Sequence, residues 1–133
     1  ADIIVGRAIV NDKACSYTFS WRLYFENTML HQAVLYRRSV FDHFSYIPPY
    51  TVSSDYDLNL YLYTTGAHAA ITDTIICRYA TKGVSSHVRW QSYNEEIQIR
   101  RKYIKCRIAR ACLYAYSVIR FAGRKLMQLT HAS

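Results

Sequence analysis

The chain has 133 residues, is 51% hydrophobic, and holds a net charge of +8 with only four glycines and two prolines. That length allows one domain around one core, and that apolar content excludes a disordered chain. No apolar run approaches the roughly 20 residues that span a bilayer, which excludes a transmembrane helix in this stretch.

Ile3-Ile4-Val5 and Ala8-Ile9-Val10 around Gly6-Arg7 predict a short buried strand over 2–10. There is no initiating Met and no basic region ahead of an apolar run, so no signal peptide is read. The strand reads as entered mid-domain, and the chain is expected to be a fragment. Asn11-Asp12-Lys13 is a turn cluster. Tyr17, Phe19, Trp21, Leu23 and Phe25 alternate, which predicts a half-buried strand over 15–25, with a helix from about Trp21 as the alternative. Residues 33–37 read as a second buried strand and Ser39 to Phe44 as a short helix. Pro48 and Pro49 make 47–50 a loop.

A helix is predicted over 54–65, with Ser53 or Ser54 capping it by a hydroxyl and Gly66 stopping it. Ala67 to Tyr79 is rich in Ile and Thr and reads as a strand. Lys82-Gly83 makes a turn. Ser92 and Glu95 have capping-box spacing. They open a helix over about 93–127 that breaks near Cys106 to Cys112 and weakens at Gly123. Tyr93, Ile97, Ile104, Ile108, Ala111, Ala115 and Ile119 form an apolar stripe along it. Strands alternating with helices indicate an α/β fold.

Cys15, Cys77, Cys106 and Cys112 are irregularly spaced and lack a Cys-x-x-Cys pair, so they read as reduced, mostly buried thiols of a cytosolic protein, with no metal bound. Residues 95–133 hold nine Lys/Arg against Glu95 and Glu96, so nearly all the net charge lies in the tail. Such asymmetry points to an anionic surface as partner.

Three segments carry chemistry when taken together. Asn27 to Arg38 contains His31-Gln32 and an apolar strand ending in Arg37-Arg38. Tyr50 to Leu62 contains Asp55-Tyr56-Asp57-Leu58 at the mouth of an apolar helix, where the helix dipole favours a carboxylate. Ile75 to Ser86 runs into Gly83-Val84-Ser85. In this order they resemble the C-terminal half of a family-2 glycosyltransferase, inverting and of GT-A type, over roughly residues 2–104.

The resemblance implies a partial GT-A, Rossmann-like α/β fold with C-terminal helices. Residues 1–104 would form the acceptor-side part and 105–133 a basic amphipathic helix. It implies Asp55 as general base and transfer of a sugar from a nucleotide-sugar donor to a glycan or lipid-linked acceptor, as in polysaccharide biosynthesis. Asp57 would bind acceptor hydroxyls or support the helix. His31 is either a core histidine or a group near the donor diphosphate, and Gln32, if exposed there, would hydrogen-bond a sugar. Arg78 and Lys82 flank the turn that resembles the family's donor-closing loop, where either could touch the diphosphate.

The family's Asp-x-Asp metal motif and its nucleotide-binding half have no counterpart here. A divalent metal (Mn or Mg) is therefore expected in the full-length enzyme, with none bound to this chain alone, and the chain is expected to be inactive by itself. The alternative is a non-catalytic basic module for a membrane surface or nucleic acid. No recognised nucleic-acid motif is present, so no nucleic acid is expected. A cytoplasmic location is expected, with peripheral membrane attachment as an option.

Overall fold

The computed structural model describes residues 1–46, 50, 52–79 and 89–131. Strand β1, Ile3–Val10, is the centre of a small mixed sheet. Asn11 and Asp12 both take positive φ, 50° and 63°, and turn the chain into β2, Lys13–Cys15, antiparallel to the end of β1. Paired positive φ values are what a two-residue hairpin requires, because that turn matches the twist of its strands. Strand β3, Val34–Tyr36, pairs antiparallel with the first residues of β1. Strand β4, Ala69–Tyr79, runs parallel to β1 along its whole length. Both β3 and β4 pair with Ile3–Val5, and both β2 and β4 with Ala8–Val10, so β4 takes one edge of β1 and the two short strands share the other.

Ile3, Val5 and Ala8 are all buried, although strict alternation would put Val5 and Ala8 on opposite faces. The change of phase is taken up by irregular pairing between Val5 and Ala8. Gly6 sits there because a Cβ would fall 2.6 Å from Ile76 Cγ1 and 3.0 Å from the Thr74 carbonyl.

Helix α1, Ser54–Thr64, is enclosed on all sides: Tyr56 through Leu60 are consecutively buried, the polar Asp57 and Asn59 among them. A helix of that pattern belongs inside a domain. Ile3, Val5 and Val34 of the sheet, Leu58, Leu60 and Leu62 of α1, and Ile99 of the next helix form one core. Gly66, at φ 78°, ends α1 as the sequence indicated. Its N–H donates to the Tyr63 carbonyl and that of Ala67 to the Leu62 carbonyl, which satisfies two terminal acceptors.

The last predicted helix is two: α2, Trp90–Tyr103, and α3, Arg107–His131. Ile104 is extended between them, so the break lies just ahead of the predicted one. The architecture is mixed α/β.

Four local expectations are corrected. Residues 15–25 are not a strand: after β2 the chain coils, and Ser20 caps a 3-10 turn at Trp21–Tyr24 by accepting from the Arg22 N–H. The alternating aromatics are satisfied differently, with Leu23 buried and Tyr17, Phe19 and Tyr24 packed on the core. Neither Ser53 nor Ser54 caps α1 with its hydroxyl, since these donate to the carbonyls of Ser92 and Tyr50. Glu95 does not close a capping box on α2. Its carboxylate instead accepts from the N–H groups of Val52 (3.0 Å) and Ser53 (2.9 Å), so a side chain of α2 ties down the entry to α1. The thiols of Cys106 and Cys112 are exposed rather than buried.

Candidate functional site

A cleft of about 660 Å³ opens at the N-terminal end of α1, between the loop carrying His31 and the facing sides of α2 and α3. Asp55 lies in its wall, on the first turn of α1. Its carboxylate Oδ2 accepts from Asn27 Nδ2 at 2.9 Å. Asn27 is itself held, because its Oδ1 accepts from Asn59 Nδ2 at 3.1 Å. The Asn59 Oδ1 in turn accepts from the Tyr36 hydroxyl at 2.7 Å. A chain of three hydrogen bonds therefore runs from β3 through α1 to the carboxylate and fixes which way it points.

Burial pushes the Asp55 carboxyl above the ordinary carboxylate range, and the charge of His31, the Tyr56 N–H and the Asn27 amide pull it partly back. A partly desolvated carboxylate that still ionises is a stronger base than one in water. Burial and the Asp55 charge together raise the hydroxyl pKa of Tyr36 and Tyr46. Both are thus kept as neutral hydrogen-bond donors.

His31 and Gln32 line the same cleft from the 3-10 turn His31–Ala33. His31 is exposed, which removes the core-histidine option, and its ring stacks on Tyr36 at 6.1 Å between centroids. The structure thus brings Asp55, His31 and Gln32 together.

Asp57 goes elsewhere. It is 1% exposed, both its oxygens accept from Lys102 Nζ at 2.8 Å, and the Tyr103 hydroxyl donates to Oδ1 at 2.6 Å. Two residues along a helix do not share a face, so Asp57 locks α1 to α2 and is not placed to bind an acceptor. Arg78 is outside the cleft as well: it lies on the exposed end of β4, 3.6 Å from Asp12 across the sheet. Lys82, with the Gly83-Val84-Ser85 turn, lies outside the described residues.

The opposite wall holds Glu96, Arg120 and Arg124, which the sequence marked only as charges of the basic tail and not as part of a site. Arg120 pairs with Glu26 (3.2 Å) and Glu96 (3.4 Å) and lies over the Tyr93 ring, and Arg124 donates to the Tyr93 hydroxyl at 3.0 Å. Asn27 and Asn59 were missed too. The signal for Asn59 was its position four residues after Asp55, on the same helical face. Nothing local marks Asn27, which is 28 residues away.

Behind this wall, Arg100 is 2% exposed and donates to Ser117 Oγ (2.7 Å), the Phe25 carbonyl (2.7 Å), Glu96 (3.0 Å) and the Tyr56 hydroxyl (3.3 Å). It is therefore an internal tie and no part of a basic surface. Burial pushes the Tyr56 hydroxyl up to about 12, with Arg100 opposing.

Among the described residues no group of three His, Cys, Asp or Glu side chains converges as a metal site would require. Comparison with protein-family models, with curated proteins and with solved structures finds no match.

Proposed function

We propose that this chain is the acceptor-side part of an inverting, GT-A-type glycosyltransferase, with Asp55 as its general base. The observation that carries the reading is the orientation of a partly desolvated carboxylate, by Asn27, into a cleft that also holds His31 and Gln32. In the proposed step an acceptor hydroxyl attacks the anomeric carbon of the donor sugar as Asp55 takes its proton. The bond to the nucleoside diphosphate breaks on the opposite side and the diphosphate leaves with that electron pair. Gln32 offers an amide to acceptor hydroxyls, and His31 offers a ring N–H to the leaving group or the acceptor.

The divalent metal implied for such an enzyme has no fitting ligand set among the described residues. Donor binding would fall to a Rossmann-like nucleotide-binding half in the same cytoplasmic protein. Support for a second layer comes from the sheet, where Ile4 and its cross-strand partner Leu35 share the face away from the core and are exposed to solvent. Parallel pairing such as that of β1 and β4 is ordinarily covered on both faces.

The test is Asp55→Asn in a protein joining this chain to such a half. Transfer should fall by about 10²–10⁴-fold with donor affinity unchanged, and near wild-type turnover would refute the assignment. The 133-residue chain alone should bind a nucleoside diphosphate sugar and Mn²⁺ weakly at best by calorimetric titration. Tight donor binding would place the donor site on this chain.

A further inference from the structure

Helix α3 has two apolar faces, and only one is used by the fold. Leu113 and Ser117 are buried, Arg120 and Phe121 are half-buried against α2, and Tyr116 is half-buried against Phe25. On the other side Ile108, Cys112, Ala115, Ile119, Leu126 and Leu129 are all exposed, Ile108 at 77% and Ile119 at 71%. Their spacing of three, four and seven residues puts them within about 100° of the helix circumference along about 32 Å. The stripe predicted to run continuously from Tyr93 to Ile119 therefore splits: its α2 residues Tyr93 and Ile97 point into the core, while Ile108, Ala111, Ala115 and Ile119 point out. The elbow at Ile104 turns one helix relative to the other.

We propose that this outer face of α3 lies on an anionic phospholipid bilayer surface. The charge pattern selects that occupant. Residues 107–131 contain no Asp or Glu, and Lys105, Arg107 and Lys125 are exposed near the stripe or along its edge. Arg100, Arg110, Arg120 and Arg124 are spent on internal partners, so the exposed cations on α3 and just ahead of it are Lys105, Arg107 and Lys125 beside the apolar face, with Arg101 exposed on α2. A second copy packed on the same stripe would bring these cations together with no acidic residue of the helix to offset them. A bilayer surface of anionic headgroups offers both the apolar depth and the opposite charge.

A second observation agrees. An apolar cavity of about 470 Å³ lies at the α2–α3 elbow, lined by Tyr24, Phe25, Tyr103, Ile104, Ala109 and Leu113, and Cys112 borders both it and the stripe. It gives an acyl chain or an inserted headgroup edge somewhere to go. No helix among the described residues is long and apolar enough to cross a membrane, so the helix would lie in the interface and not span it.

The experiment is vesicle flotation of the 133-residue chain with phosphatidylcholine alone and with phosphatidylcholine plus phosphatidylserine, paired with sedimentation in the absence of lipid. Three variants are compared: Ile119→Glu, Arg107→Glu with Lys125→Glu, and Asp55→Asn. The chain should float with the anionic vesicles and weakly or not at all with the neutral ones. Ile119→Glu should abolish flotation, and the double charge reversal should weaken it by about tenfold or more, both with unchanged urea midpoints because the positions are exposed. Asp55→Asn should float normally, which keeps this outcome separate from the test of the catalytic assignment. Equal flotation of the chain and Ile119→Glu, or none with anionic vesicles, overturns the proposal. A lipid-free dimer that Ile119→Glu dissolves, without flotation, would overturn it in favour of a second copy.

Discussion

Replacing Arg100 by Met keeps an unbranched stem in a site 2% exposed but removes every donor. The Phe25 carbonyl and the Ser117 hydroxyl, each bonded at 2.7 Å, lose their charged partner inside the protein. An orphaned buried group costs about 1–3 kcal/mol. Glu96 is not fully orphaned, because Arg120 remains 3.4 Å away, so the full penalty of an unpaired buried charge is not incurred. The loss should therefore be about 2–6 kcal/mol, the sum for two such orphaned groups. Against a typical total of about 5–15 kcal/mol this is a large share.

Urea unfolding followed by circular dichroism reads it directly, with the m-value unchanged if only the native state is affected. Burial already pushes the Glu96 carboxyl up, with Arg120 and Arg100 opposing. The difference between the variant and the parent should thus shrink as pH falls and Glu96 takes a proton. Arg107→Met, on the exposed start of α3, is the control and should stay within about 0.5 kcal/mol. If Arg100→Met unfolded within about 1 kcal/mol of the parent, the reading of Arg100 as the tie among α1, α2 and α3 would be wrong.

Asp55→Asn should also stabilise the chain progressively with pH. The folded pKa of Asp55 is raised by burial, so the stability this group contributes is present below its unfolded value and is lost as pH rises through the folded one. Urea midpoints of variant and parent should diverge from acid towards neutral pH; a constant gap would contradict this. Asn59→Leu breaks the chain from Tyr36 to Asn27 and leaves Asp55 loosely held. In the joined protein transfer should fall by about tenfold to 10²-fold, and by NMR the Asp55 titration should move upward as the Asn27 bond weakens; an unmoved titration would remove Asn59 from the site. Gly6→Val drives a side chain into Ile76 and the Thr74 carbonyl and should cost about 1–3 kcal/mol, whereas a midpoint unchanged in urea would show that β4 can yield there.

The elements readable from the sequence were those whose cause is local. β1, the Asn11-Asp12 turn, the strand ending at Tyr79 and the α1 stop at Gly66 follow from apolar runs, permissive φ and backbone capping within a few residues. Asp55 in a first turn was legible for the same reason, as was His31-Gln32 beside a strand. What the tertiary structure alone decided is where side chains separated by tens of residues meet. Glu95 has a capping-box partner in Ser92, yet it serves Val52 and Ser53, because the packing of α2 on α1 leaves those N–H groups needing an acceptor inside the protein. Asp57 looks equivalent to Asp55 along the chain, but two residues of helix rotate it away from the cleft and onto Lys102. Arg100 and Arg107 are equally basic in the sequence, and only the α3 elbow and the packing behind it bury one and expose the other. Helical periodicity reveals that an apolar stripe exists; whether it faces core or solvent depends on a change of direction at Ile104, and no period along the chain encodes that turn.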